Sequence, residues 1–196
     1  SQMAQSYYQS EQESITGSQE EEHITNGVRW KVQTITFAAT PVIRWYSLDF
    51  QFPGQFLFLT QKMKGHEKSG GRMMASLGKI GFKQSLSIYG FRDEEHTPNL
   101  KRAEQLSNID PLLEPHFSAF SSDPGRASRI LNPGVVNLLA NWAERYPLQQ
   151  GASDQLAVLF GPNGVYLSML GLTNPEHLAE LAALGAGLVS GQDASL

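Results

Sequence analysis

Four Asx-Pro pairs constrain this chain more than any other feature: Asp110-Pro111, Asp123-Pro124, Asn132-Pro133 and Asn174-Pro175. Each sets a side chain that can accept from free helix N–H groups just before a residue whose φ is preset. That is the sequence form of a helix start. All four lie after residue 109, whereas residues 27–92 read mostly as strand. The expected fold class is therefore α+β: a mainly antiparallel sheet of about six or seven strands, with two main helices in the C-terminal half.

From Gly27 apolar residues recur with period two. Val28, Trp30 and Val32 share one face, and the parity then flips to Ile35 and Phe37, which predicts a bulge near Gln33 or Thr34. A second strand is expected over Val42–Phe52, and a doubly covered one over the unbroken run Phe56–Leu59. Residues 61–81 read as loop. Phe82, Leu86 and Ile88, alternating with Lys83, Ser85 and Ser87, predict a fourth strand. Residues 100–109 read as a short helix, 111–114 as one helical turn and 117–120 as a short strand.

The second half is better punctuated. Pro124–Ile130 reads as a short helix, and Pro133–Tyr146 as an amphipathic one with Val135, Leu138, Leu139, Trp142 and Tyr146 on one stripe. Leu156–Phe160 and Val165–Leu170 flank Gly161-Pro162-Asn163-Gly164, a hairpin signal. Pro175–Val189 closes the chain as a helix.

Composition bounds what such a body can do. At 196 residues one core is the first expectation, here residues 27–190, preceded by a flexible acidic tail over 1–26. The absence of cysteine excludes disulfides, thiolate metal sites and thiol nucleophiles. The net charge of −4 conceals three regions: −5 over residues 1–26, +7 over 27–102 and −6 over 103–196. Ser1 rather than Met opens the chain, so the expectation is a stretch cut from something longer.

Residues 109–170 carry a resemblance. The run Ile-Asp-Pro-Leu-Leu-Glu-Pro-His-Phe-Ser-Ala-Phe-Ser-Ser-Asp-Pro (109–124) precedes Arg-Ala-Ser-Arg-Ile-Leu-Asn-Pro-Gly-Val-Val-Asn-Leu-Leu (126–139), and a hairpin follows. This resembles a bacterial domain family of unknown function with a D-P-x-F-x-x-x-F strand ahead of D-P-x-x-A-R-x-x-L-T-P. Here four residues separate Pro111 from His116, Ser128 precedes Arg129, and Asn132 replaces the usual Thr. Members of that family often carry paired membrane helices ahead of a cytoplasmic domain. The resemblance thus implies a cytoplasmic domain at the inner face of the membrane, held by an anchor missing here. It implies no catalytic residues.

Candidate chemistry is sparse. His23, His66, His96, His116 and His177 never pair at ligand spacing. Gly71…Gly78-Lys79 lacks the Walker spacing, and Ile80 follows the lysine. Ser121, Asp123 and His116 are close in sequence, but the expected role of Asp123 is to cap a helix whose entry Ser121 and Ser122 shape. No catalytic, cofactor-binding or metal-binding residue is assigned. The basic segment Lys62, Lys64, Lys68, Arg72, Lys79 and Lys83, opposed by Glu67 alone, is a candidate contact for an anionic membrane surface. Without a stacking ladder it does not point to nucleic acid. Arg126 and Arg129, three apart on one helix, could meet an anion or an acidic partner. The expected function is a non-enzymatic interaction module, binding a protein partner or itself. Peripheral binding to anionic lipid and a hydrolase-type enzyme are the alternatives.

Overall fold

A computed structural model describes residues 20–37, 40–63, 81–149, 155–170 and 175–192. The architecture is α+β, built on one antiparallel sheet of eight strands. In chain order these are β1 (His23–Thr25), β2 (Val28–Phe37), β3 (Thr40–Ser47), β4 (Leu57–Gln61), β5 (Glu104–Gln105), β6 (Phe117–Ser121), β7 (Leu156–Gly161) and β8 (Gly164–Leu170). Across the sheet the order is β1-β2-β3-β8-β7-β4-β6-β5. The strand count exceeds expectation because β1 and β5 are only three and two residues long. The sheet also begins at His23, ahead of Gly27.

Among the described residues four helices accompany the sheet: α1 (residues 81–88), α2 (Pro124–Ile130), α3 (Pro133–Arg145) and α4 (Pro175–Ser190). Three of the Asx-Pro pairs act as expected. Asp123 accepts from the Arg126 N–H at 3.1 Å, and Asn132 from the Val135 N–H at 3.1 Å. Asp110 caps the single turn expected over 111–114, its side chain accepting from the Leu112 N–H at 2.9 Å and its carbonyl from the Glu114 N–H at 3.0 Å. Asn174 lies outside the described residues.

The late hairpin β7–β8 fills the middle of the sheet, between β3 and β4. Central strands are covered on both faces and lose the polar alternation of a half-exposed strand. That is why Leu-Ala-Val-Leu-Phe-Gly and Val-Tyr-Leu-Ser-Met are buried throughout. On one face α2, α3 and α4 cover Trp45, Leu57, Leu59, Val158, Phe160, Leu167 and Met169. On the other, α1 and the chain that follows it bury Phe58, Phe82, Leu86, Tyr89, Phe91, Phe120 and Leu159.

Four expectations need correction. Residues 82–88 are helical, not strand. Phe82, Leu86 and Tyr89 recur at i, i+4, i+7 and are buried, while Ile88, which suggested alternation, is 47% exposed. Gly90, at φ 72°, ends the helix: Gly90 N–H donates to the Ser87 carbonyl and Phe91 N–H to that of Leu86, a Schellman stop.

The bulge in β2 is absent. Its register with β3 runs unbroken from Lys31↔Tyr46 to Phe37↔Thr40. The parity flips because Trp30 and Val32 pack under the helices, whereas Ile35 lies beside Val42 on the opposite face. β3 stops at Ser47 rather than Phe52, because the chain bends at residues 48–50 and brings Asp49 to the Arg29 N–H at 2.8 Å. Finally, residues 100–109 hold a single 3₁₀ turn (Leu100–Arg102) and then β5, whose backbone finds partners on β6.

Candidate functional site

The residues singled out in the sequence are scattered by the fold. Lys64, Lys68, Arg72 and Lys79 lie outside the described residues. Lys62 Nζ donates to the Glu114 carbonyl oxygen at 2.7 Å and stands 3.9 Å from its carboxylate, and Lys83 is exposed on α1. Arg126 sits with its guanidinium carbon 5.2 Å from the Phe52 ring centroid, and Arg129 is exposed on the same helix.

The histidines also have separate neighbours. His23 stacks on Trp30, His177 meets the Tyr146 ring edge-on, and His96 is held by Asp93 at 2.8 Å; His66 is not among the described residues. Ser121 Oγ donates to the Phe56 carbonyl at 2.6 Å and accepts from the Asp123 N–H, so both residues brace the β4–β6 junction. No group of three metal-ligating side chains occurs among the described residues. A cavity of about 210 Å³ lies between Lys62, His116, Glu144 and Leu148. It is smaller than the several hundred Å³ usual for small-molecule sites.

A different cluster stands out once the sheet is assembled. Period-two alternation puts Val42, Arg44 and Tyr46 of β3 on the α1 face, opposite Trp45. Arg44 is only 6% exposed. Its Nη2 donates to the Tyr89 carbonyl at 2.6 Å, and its guanidinium carbon lies 4.5 Å from the Phe91 ring centroid and 5.8 Å from that of Tyr166. Burial pulls its pKa down to about 10, partly offset by the fields of Tyr166, Asp93, Tyr46 and Glu20.

Around it, burial raises the phenols of Tyr89 and Tyr166. Burial raises that of Tyr46 too, assisted by its hydrogen bond to Glu20. Burial pushes the Asp93 carboxyl up, yet the hydrogen bonds and charge of His96 bring it below its ordinary value. His96 in turn packs against Phe91 and Tyr166. Perturbed groups gathered this way are a recognised sign of a functional region. Asp93 and His96 meet locally, three residues apart, but nothing local joins them to residues 44, 89 and 166, which come together only through strand pairing and the α1 turn.

The second candidate is backbone, not side chain. β1 covers β2 only at Val28, Arg29 and Trp30, and no other described strand pairs with the outer side of Lys31–Phe37. The orientation of its groups follows from parity. Arg29 N–H points toward the β3 side, where it meets Asp49. With the register unbroken, the N–H and C=O groups of Val32, Thr34 and Thr36 therefore point outward from the sheet. A row of unpaired donors and acceptors of this kind is a template for another extended chain.

No family model and no curated protein matches the chain. Among solved structures it is similar to the crystal structure of the mycobacterial trehalose monomycolate transport factor A, TtfA, with a TM-score of 0.47 and 12% identity. That likeness covers 90% of this chain and 72% of the other. At this level it carries no functional inference. Among the described residues no helix is long and apolar enough to cross a membrane.

Proposed function

We propose that this chain is a non-enzymatic interaction module that takes an extended segment of a protein partner along the outer edge of β2. We also propose that it forms the cytoplasmic part of a membrane-anchored bacterial protein. The first reading is carried by one observation, the outward N–H and C=O groups of Val32, Thr34 and Thr36 on an edge that no described strand covers. Main-chain pairing of this kind provides affinity, and neighbouring side chains provide selectivity. The second rests on the resemblance over residues 109–170. It predicts apolar spans of about 20 residues in the reading frame upstream of Ser1.

Parity supplies a clean test of the first reading. Proline at Thr34 removes an outward N–H and leaves the β2–β3 ladder intact, whereas proline at Gln33 removes an inward one. A photo-crosslinking residue at Thr36 should give a discrete intermolecular adduct in cells. Thr34→Pro should reduce that adduct by about an order of magnitude while the purified protein stays folded. Gln33→Pro should unfold it. An adduct indifferent to Thr34→Pro, or one formed only within the chain, would exclude partner pairing at this edge.

A further inference from the structure

Two buried donors on the α1 face have no acceptor. Arg44 Nε and Ser168 Oγ make no hydrogen bond, and the residues that carry them are 6% and 0% exposed. They are not independent orphans. Arg44 and Ser168 are directly paired across β3 and β8, so their side chains leave the sheet on the same face about 5 Å apart. Among the described residues no carboxylate lies within ion-pair distance of Arg44; Asp93, which pairs with His96, and Glu20 reach it only through their fields. A buried cation in that position is costly unless something neutralises it.

The pairing also leaves small neighbours beside these donors. Running across the sheet from Arg44, the paired residues are Ser168, Ala157, Thr60 and Ser118. The adjacent row is Tyr46, Tyr166, Leu159, Phe58 and Phe120, all large. The small row therefore borders the guanidinium on one side, and the Phe91 and Tyr166 rings flank it on another.

We propose that Arg44 and Ser168 bind the carboxylate of a small monocarboxylic acid on this face. The guanidinium Nε–H and the Ser168 hydroxyl both donate to the carboxylate, beside the Phe91 and Tyr166 rings. One guanidinium balances one negative charge. A phosphate dianion would leave net charge among aromatic rings and is the disfavoured ligand. This site is independent of the β2 edge, and either can fail without the other.

Acetate is the probe. Sodium acetate is titrated against sodium chloride at constant ionic strength, with thermal unfolding and the ¹⁵Nε resonance of Arg44 as readouts. The expected result is a saturable rise in Tm of about 2–4 °C at roughly ten times Kd, with a matching shift of that resonance. Ser168→Ala should weaken binding about five- to tenfold, Arg44→Lys should abolish it, and phosphate at equal ionic strength should have no effect. Absence of saturable binding would show that the guanidinium is satisfied by water or by the chain's own acids, and would overturn the proposal. So would acetate binding that survives both substitutions. Should an Arg44 variant fail to fold, Ser168→Ala alone decides, because it removes one oxygen from the site.

Discussion

The two faces of the sheet are filled by different physics. Under α2, α3 and α4 the packing is governed by volume. The ring of Trp45 lies directly beneath Gly185 of α4, where an added Cβ would stand 2.6 Å from ring carbons. Glycine is required there by close approach, not by backbone conformation, and the aliphatic side chains of four central strands close around the contact. The α1 face is built instead from stacked rings, with Phe82 4.1 Å from Phe120 and 5.7 Å from Phe58 between centroids, and one charged side chain is set among them. Volume on the first face is specified by many residues at once. On the second, one row of polar and small residues from Gln33 through Arg44, Ser168, Ala157 and Thr60 to Ser118 interrupts the large apolar side chains. Both faces keep buried polar atoms without a partner, Arg44 Nε and Ser168 Oγ on the ring face and Trp45 Nε1 and Trp142 Nε1 on the helix face. The faces therefore differ in what fills them and not in how fully their polar groups are satisfied.

The strongest way to break this contrast is to change volume under the helices. Trp45→Ala should cost about 3–5 kcal/mol, the range for emptying a large aromatic from a packed core. Gly185→Ala, an addition of one methyl, should cost about 1–3 kcal/mol because the rigid indole cannot yield without moving β3. Urea unfolding with unchanged m-values measures both. If Gly185→Ala were neutral, the helix face would have slack and the distinction drawn from Trp45 would fail.

On the ring face the sign reverses. Arg44→Met keeps much of the side-chain volume and removes the charge that burial penalises. In buffer free of carboxylic acids it should therefore stabilise the fold by about 1–2 kcal/mol. The lost bond to the Tyr89 carbonyl limits the gain. A destabilisation of similar size would mean that Arg44 is already neutralised in the isolated protein and that the two faces are more alike than their residues suggest.

How much of this was legible in the sequence follows the same division. The helix face was largely readable. Asp123 and Asn132 announced α2 and α3, the stripe from Val135 to Trp142 announced the buried side of α3, and the turn at Pro162-Asn163 announced β7 and β8. These are local signals, each contained within a few residues. The ring face was not readable. Residues 82–88 fit a strand and a helix alike, and the deciding signal was Gly90, which supplies the positive φ of a helix stop. Nothing in the sequence singled out Arg44. It became buried because β8, more than a hundred residues later, pairs with β3 and makes that strand internal. No local pattern encodes that pairing. The resemblance over residues 109–170 likewise says nothing about Arg44.

The smallest test concerns the rim, where the chain leaves β3 and neither face governs. Asp49 accepts from the Arg29 backbone N–H at 2.8 Å and pairs with its guanidinium at 2.9 Å, so the bend after Ser47 is tied to β2 at an exposed position. The Arg29 N–H, more than the ion pair, holds the Asp49 carboxyl below its ordinary value, against an upward push from burial. Because the folded pKa lies below the unfolded one, the contribution is complete above the unfolded value near 3.8 and is lost as pH falls through the folded value. Asp49→Ala should therefore lower stability by only about 0.5–1 kcal/mol at pH 7, the scale of an exposed pair. Near pH 2 the variant and the parent should converge, while Trp45→Ala stays fully destabilised because volume does not titrate. A difference between Asp49→Ala and the parent that persists in acid would assign the bend to packing, and would extend the volume-governed region of the molecule beyond the helix face to the end of β3.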